Sequence, residues 1–412
     1  MARCVFESFG TLNLPWLLLN VNRNMIMNIT KNPNANNTKY ILVFISILGI
    51  LFSSCRNTPN LQKAYLYKLV QTDTLHINVP DTVPDISNAK KWSYNNHYFS
   101  WLTDINGIEI YRYNFRKKCF NRFCLNHEYK DQIKFPGPYS FLSDSILLYY
   151  HPYVNELLII NLNKREIDDV YYIPSGYGIT GIDRLELFID SSFIILPANS
   201  TSPLDEYFCD KNILAMKIDK KSKSITFLGR FPQSVNHNVI PRLNIVIPDA
   251  IVHSNKMVLS YRAEKNILEY SIKVDTFASF LCEDIYHKEQ EYKYNTEDIK
   301  LVMSEEFSGL YKSLLFDKKN KRYFRISLSY PKYDGVLPSF SDNKAYYKSI
   351  IKTRIVTVFV LDSKLEVIAK NQIEGVAIEN CFIKNGTLYL KRRVDLEGEI
   401  TFDGYSLADN KL

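Results

Sequence analysis

Four of the seven histidines, His127, His151, His237 and His287, fall in segments that read as loops, with Glu128, Asp205, Glu289 and Glu291 close by in the chain. Imidazole and carboxylate groups of this kind ligate calcium or transition metals and serve as general acids and bases. No two of these histidines share a ligand-like spacing, so the sequence assigns no metal ligand. Gly176, Gly178 and Gly181 spell GxGxxG behind the apolar run Val170–Pro174. A dinucleotide site needs a helix N-terminus after those glycines to hold the pyrophosphate. Here Pro174 breaks the approach and 182–196 has the pattern of a β-hairpin, so no cofactor is expected. The Gly-x-Ser-x-Gly nucleophile elbow is absent. Cys119 and Cys124, five residues apart in one predicted strand, point to opposite sides and are expected as free thiols. No catalytic residue is assigned.

The strongest chemical signal is Cys55. Tyr40–Ser54 is a 15-residue uncharged apolar run behind Lys31 and Lys39, shorter than the roughly 20 residues that span a bilayer. It has the length of a signal-peptide core and ends in Phe52-Ser53-Ser54-Cys55, which resembles a bacterial lipobox with Phe52 in place of the usual Leu. Cys55 is then the lipidated residue, and its covalent lipid is the one prosthetic group expected. Met25 and Met27 offer later starts that would give a conventional leader. The expected organisation is an over-extended gene start over 1–26, a lipoprotein signal peptide over 27–54, a tether over 55–70 and a folded domain over 71–412.

The elements that must position any further site are strands. Trp92–Trp101, Ser140–Tyr149, Leu187–Leu196, Ile251–Ser260 and Cys381–Leu390 each place a short polar turn between apolar runs, and Leu314–Arg325 repeats the pattern with a longer turn. Asn-Asn, Ser-Asp, Asp-Ser, Ser-Asn and Asn-Gly tolerate positive φ or bond their own backbone, so each segment predicts a hairpin. A third apolar strand follows each hairpin, and usually a fourth, as in 108–114, 157–163 and 167–173. With 29 Tyr and 24 Phe against 14 Gly, the composition favours pleated half-buried surfaces. The class is all-β: a six-bladed β-propeller of four-stranded antiparallel blades. The last unit has three strands before the chain ends, so 72–79 is expected to pair with 399–407 and close the final blade.

In this arrangement the first-to-second and third-to-fourth turns share one face and are short. The other face takes the insertions 126–138, 174–184, 198–212, 232–248, 283–309 and 330–353, and within 283–309 the segment 296–308 has the pattern of an amphipathic helix. Long loops on a rigid scaffold carry binding. The candidate binding face is therefore His151, Tyr177, His237, Arg242, Tyr333 and Asp334, groups able to make aromatic, cationic and hydrogen-bonded contacts.

The lipobox, the hairpin repeat and the stretch LLFDKKNKRYFRI over 314–326 resemble the uncharacterised TolB-like six-bladed propeller lipoproteins of the Bacteroidetes, over Cys55 to the end of the chain. The resemblance implies an envelope location and a propeller, and no reaction. The partners expected are a membrane, through the lipid, and a protein, peptide or glycan ligand; a monomer is expected. The net charge of +7 falls to +4 once residues 1–54 are set aside, and no basic run with interleaved aromatics occurs, so nucleic acid is excluded as a partner. The absence of an acidic cluster behind Cys55 favours an outer-membrane lipoprotein that faces the periplasm. The competing class is a propeller hydrolase or lactonase of the envelope with a metal in its central channel.

Overall fold

The computed structural model describes residues 65–84, 91–94, 97–105, 107–125, 129, 133–179, 187–200, 213–230, 232, 248–253, 255–262, 264–284, 310–331, 352–392 and 398–409. The chain divides into two units, Met1–Ala64 and Tyr65–Leu412. The first, with Cys55, lies outside the described residues, as does the helix expected over 296–308.

The second unit opens with strand β1 (Tyr67–Asn78) and continues as six antiparallel sheets. Blade one is β2 (Lys91–Tyr94), β3 (Tyr98–Thr103), β4 (Glu109–Asn114) and β5 (Cys119–Cys124). Blade two is β6 (Tyr139–Phe141), β7 (Ile146–His151), β8 (Glu156–Asn161) and β9 (Glu166–Tyr172). In blade three, β10 (Tyr177–Ile179) and β11 (Phe188–Ile189) both pair with β12 (Phe193–Ser200), followed by β13 (Ile213–Asp219) and β14 (Ile225–Arg230). Blade four is β15 (Asp249–Val252), β16 (Lys256–Ser260), β17 (Asn266–Ser271) and β18 (Thr276–Leu281). Blade five is β19 (Leu310–Asp317), β20 (Arg322–Ser329), β21 (Ile355–Leu361) and β22 (Val367–Ile373). Blade six takes β23 (Val376–Lys384), β24 (Thr387–Arg392) and β25 (Glu399–Asp409) from the end of the chain and β1 from its start.

The burial of each strand follows its place in the blade. Second and third strands have neighbouring blades on both faces, so they need near-continuous apolar runs rather than alternation. β3 and β21 are buried almost throughout, whereas the outer strands β5 and β18 are largely exposed. Six apolar clusters fill the six blade junctions. The junction of blades six and one is the most aromatic: Phe99 meets Phe382 at 5.6 Å and Phe402 at 5.2 Å between ring centroids, and Trp101 packs on Phe120 at 5.6 Å.

One turn recurs between third and fourth strands. Asn114 Oδ1 accepts from the amides of Arg116 and Lys117, Asp219 Oδ1 from those of Lys221 and Ser222, and Asp362 Oδ1 from those of Lys364 and Glu366. In the same turns Lys118, Lys223 and Leu365 take positive φ. The Asx carboxyl or amide reverses the chain without glycine.

The closure expected from the sequence is present and longer than 72–79. β1 pairs with β25 from Asn78↔Glu399 to Tyr67↔Asp409, with a bulge between Gln71 and Asp73. Gln71 donates to Asp403 at 2.9 Å, His76 Nδ1 meets Glu399 at 2.6 Å, and the Leu69 amide reaches across to Asn371 of blade five at 2.7 Å. Ile77 is fully buried in the aromatic junction. Deleting residues 56–80 should therefore expose the edge of β25 and cause aggregation, read by size-exclusion chromatography. A truncated chain that stays monomeric with unchanged thermal unfolding would show that β1 is dispensable.

Candidate functional site

The antiparallel meander puts the second-to-third turns and the blade-to-blade links on one face, which we call the upper face. The strand ends that bound the long connections 201–212, 231–248, 282–309 and 330–354 all lie on it. The described part of this face is best defined over blade two.

There the sequence reading needs correction. His151 is not a loop residue: it ends β7 and is buried, with 2% of its surface exposed. Its Nδ1 has no hydrogen-bond partner, and burial pulls the imidazole pKa below its ordinary value. The Phe135 ring meets it edge-on at 6.0 Å and packs on Tyr153 at 4.0 Å. Tyr153 sits in the β7–β8 turn and is 72% exposed. That turn is clamped by Asn155, which has φ 58°. The Asn155 amide donates to the carbonyls of Ile173 (3.2 Å), Pro174 (3.2 Å) and Tyr177 (2.7 Å), and its oxygen accepts from the Tyr150 hydroxyl. The 133–138 segment is held from below: the Tyr149 hydroxyl donates to the Phe135 carbonyl, and the Tyr150 amide to the Pro138 carbonyl at 3.0 Å. A Cβ at Gly137 would lie 1.9 Å from the Tyr150 carbonyl oxygen, so only glycine permits this approach.

Tyr177 is likewise a strand residue, in the inner strand β10, half-buried with its ring 4.3 Å from Phe227. The GxGxxG segment thus enters β10 at Gly178 and is not a simple blade link. Leu125, and Tyr129 and Ile133 of the 126–138 insertion, are buried at the junction of blades one and two, at a spacing that the bonds Tyr129 N to Leu125 O and Ile133 N to Tyr129 O set. His237, Arg242, Tyr333 and Asp334 lie outside the described residues, as do His127 and His287. Two of the six candidate residues are thus described, His151 at the end of β7 and Tyr177, whose carbonyl accepts from Asn155 in the turn that follows His151. Cys119 and Cys124 are separate thiols at the two ends of β5. Among the described residues no group of three or more His, Cys, Asp or Glu could hold a metal.

Two buried arginines were not anticipated. Arg325, fully buried in β20, donates to Ser260 Oγ (2.9 Å) and to the carbonyls of Lys265 (2.8 Å), Cys282 (3.2 Å), Tyr261 (3.2 Å) and Glu264, and lies 3.4 Å over the Tyr311 ring. It staples blade five to the β16–β17 turn of blade four. Arg112 sits among Tyr98, Phe123 and Phe141 at 4.4–4.8 Å and donates to the Asp144 carbonyl at 2.9 Å, joining blade one to blade two. The signal in the sequence was a charge inside an apolar strand, RYFRISLS for Arg325 and EIYRYN for Arg112. Burying a guanidinium is costly unless its donors are satisfied; those of Arg325 meet carbonyls and a hydroxyl, whereas Arg112 Nε has no partner and its guanidinium is caged by rings instead. Both act as blade-to-blade connectors.

The chain is thus a six-bladed β-propeller closed by the strand β1, with an upper face built from second-to-third turns and blade links. A crystal structure of a member of the duf4221 family from Bacteroides vulgatus shares this fold, with a TM-score of 0.66 and 14% identity over 84% of this chain and 100% of that one. A luciferin-regenerating enzyme overlaps with a TM-score of 0.42 and 6% identity, over 82% and 96% of the two chains. TolB from Acinetobacter baumannii does so with 0.37 and 9%, over 68% and 53%. No family model and no curated protein matches the sequence. The Bacteroides likeness bears out, at the level of the fold, the resemblance to Bacteroidetes propellers.

His151 and His253, whose Nε2 lies 2.8 Å from the Tyr323 hydroxyl, both have pKa values lowered by burial from an ordinary 6.5. The unfolded chain therefore binds more protons than the folded one as pH falls through that value, and stability must fall with it. Urea midpoints measured at about pH 7.5 and about pH 5.5 should differ less in a His151→Gln, His253→Gln double variant than in the parent. An unchanged difference would contradict the assignment.

Proposed function

We propose that the protein is a lipoprotein of the bacterial envelope, anchored through acyl chains on Cys55, whose propeller binds a protein, peptide or glycan through its upper face without catalysing a reaction. The observation that supports this most is the asymmetry of the faces. The strand ends that bound the long connections 201–212, 231–248, 282–309 and 330–354 all lie on the upper face, while the described connections of the lower face are tight Asx-type and hairpin turns. A rigid ring whose long connections start and end on one side is a scaffold suited to recognition. The lipobox-like Phe52–Cys55 supports the anchor, and more than one acyl chain suffices for stable attachment. The lack of acidic residues directly behind Cys55 supports an outer-membrane lipoprotein on the periplasmic side.

Two measurements test the reading. Cys55→Ala should abolish incorporation of a fatty-acid analogue, and undiminished labelling would end the lipoprotein assignment. Photo-crosslinking residues at exposed Ile105 and Leu281 on the upper face should capture envelope components, whereas Leu142 and Val274 on the lower face should not. Capture from the lower face alone would reverse the assignment. A stoichiometric metal in the purified domain together with hydrolytic turnover would replace the binding module with the enzyme.

A further inference from the structure

Large apolar side chains are not spread evenly over the exposed surface. Of eleven that are exposed among the described residues, four lie along the upper edge of blade two: Phe135, Tyr153, Val154 and Tyr172, at 41%, 72%, 54% and 70%. Phe135 packs on Tyr153, Val154 follows it in the same turn, and Tyr172 is one strand further out, opposite Glu156. The backbone beneath is fixed at both ends, by Asn155 on the turn and by the Tyr149 and Tyr150 bonds on the 135–138 segment. An exposed aromatic cluster on a backbone already held in place loses little entropy on binding and has the character of an interface anchor.

The polar groups decide the class of ligand. A glycan stacked on aromatic rings is recognised by donors and acceptors held in fixed positions beside them, and the exposed ends of Lys134, Tyr153 and Tyr172 would each have to be ordered on binding. Here the Asn155 side chain is engaged by three carbonyls and the Tyr150 hydroxyl, and the His151 imidazole is buried under Phe135. Val154 offers no stacking face. Beside the cluster stand charges, exposed Lys134 next to Phe135 in the chain and half-buried Glu156 opposite Tyr172. Apolar centre and charged rim are the anatomy of a protein interface.

Resting on the upper-face reading above, we infer that Phe135, Tyr153, Val154 and Tyr172 form the anchor site for a protein partner that presents an apolar side chain next to a carboxylate, the carboxylate meeting Lys134. The test uses the full-length anchored chain in cells with a photo-crosslinking residue at Val154. The expected result is a protein adduct, with the captured residue mapped by mass spectrometry beside an Asp or Glu. The yield should fall about tenfold in Tyr153→Ala and in Lys134→Glu, with unchanged thermal unfolding because both side chains are exposed. Adducts from Ile105 or Leu281 but none from Val154 would overturn this inference and leave the upper-face reading standing. Adducts with glycan alone, or yields indifferent to Tyr153→Ala and Lys134→Glu, would also overturn it. Capture from the lower face only, or from no position, would end both.

Discussion

The structure depends on closing a ring with a strand from the wrong end of the chain. Five blades are made from consecutive strands, and each can form as a local meander. The sixth cannot, because β23 to β25 leave an open edge until β1 returns to cover it. An open edge is an unpaired ladder of amides and carbonyls, a template for association. The pairing brings together residues more than 300 positions apart, at a cost in loop closure that only the whole ring repays. Its rewards are concentrated at one junction, where Ile77 from β1 joins Phe402, Phe382, Phe99 and Trp101 in a single cluster. The Leu69 amide on Asn371 adds a tie from β1 to blade five, so the closing strand spans two blades.

Once the ring is closed, blade edges become fixed platforms. The corner over blade two shows how. The buried hydroxyls of Tyr149 and Tyr150 point up to the 133–138 link and to Asn155, and Asn155 in turn ties the β7–β8 turn to the start of blade three. Exposed rings at Phe135 and Tyr153 are therefore held by bonds that originate inside the sheet. Arg325 and Arg112 do related work at other junctions, where a guanidinium satisfied by carbonyls or caged by rings joins one blade to the next. Without closure these connectors would span surfaces free to separate.

The blade pattern was legible because a four-stranded meander leaves a local signature: apolar runs at fixed intervals with turn residues between them. The closure was legible by arithmetic, since a sixth unit with three strands needs a fourth. The site was less so. His151 carries a polar side chain at a strand end, where sequence alone places a loop, and only the packing of Phe135 over it shows that it is buried. Tyr177 looked like part of a link because Pro174 and Gly176 flank it, yet β10 pairs with the end of β12, Tyr177 opposite Ser200. The two arginines broke an apolar run and could have been noticed as such, but their acceptors are carbonyls of another blade, and no local pattern encodes those. Four of the six proposed binding residues lie in the long upper connections, outside the described residues.

Native-state hydrogen exchange of the amides in β1 tests the central claim most directly. If closure is a condition of the fold, the amides of Leu75 and Ile77, which face β25, exchange only through global unfolding, with the same free energy as the buried strands β20 and β21. Exchange of those two amides through local opening, orders of magnitude faster than in β20 and β21 while the rest of the ring stays protected, would show that the ring stands without its N-terminal strand.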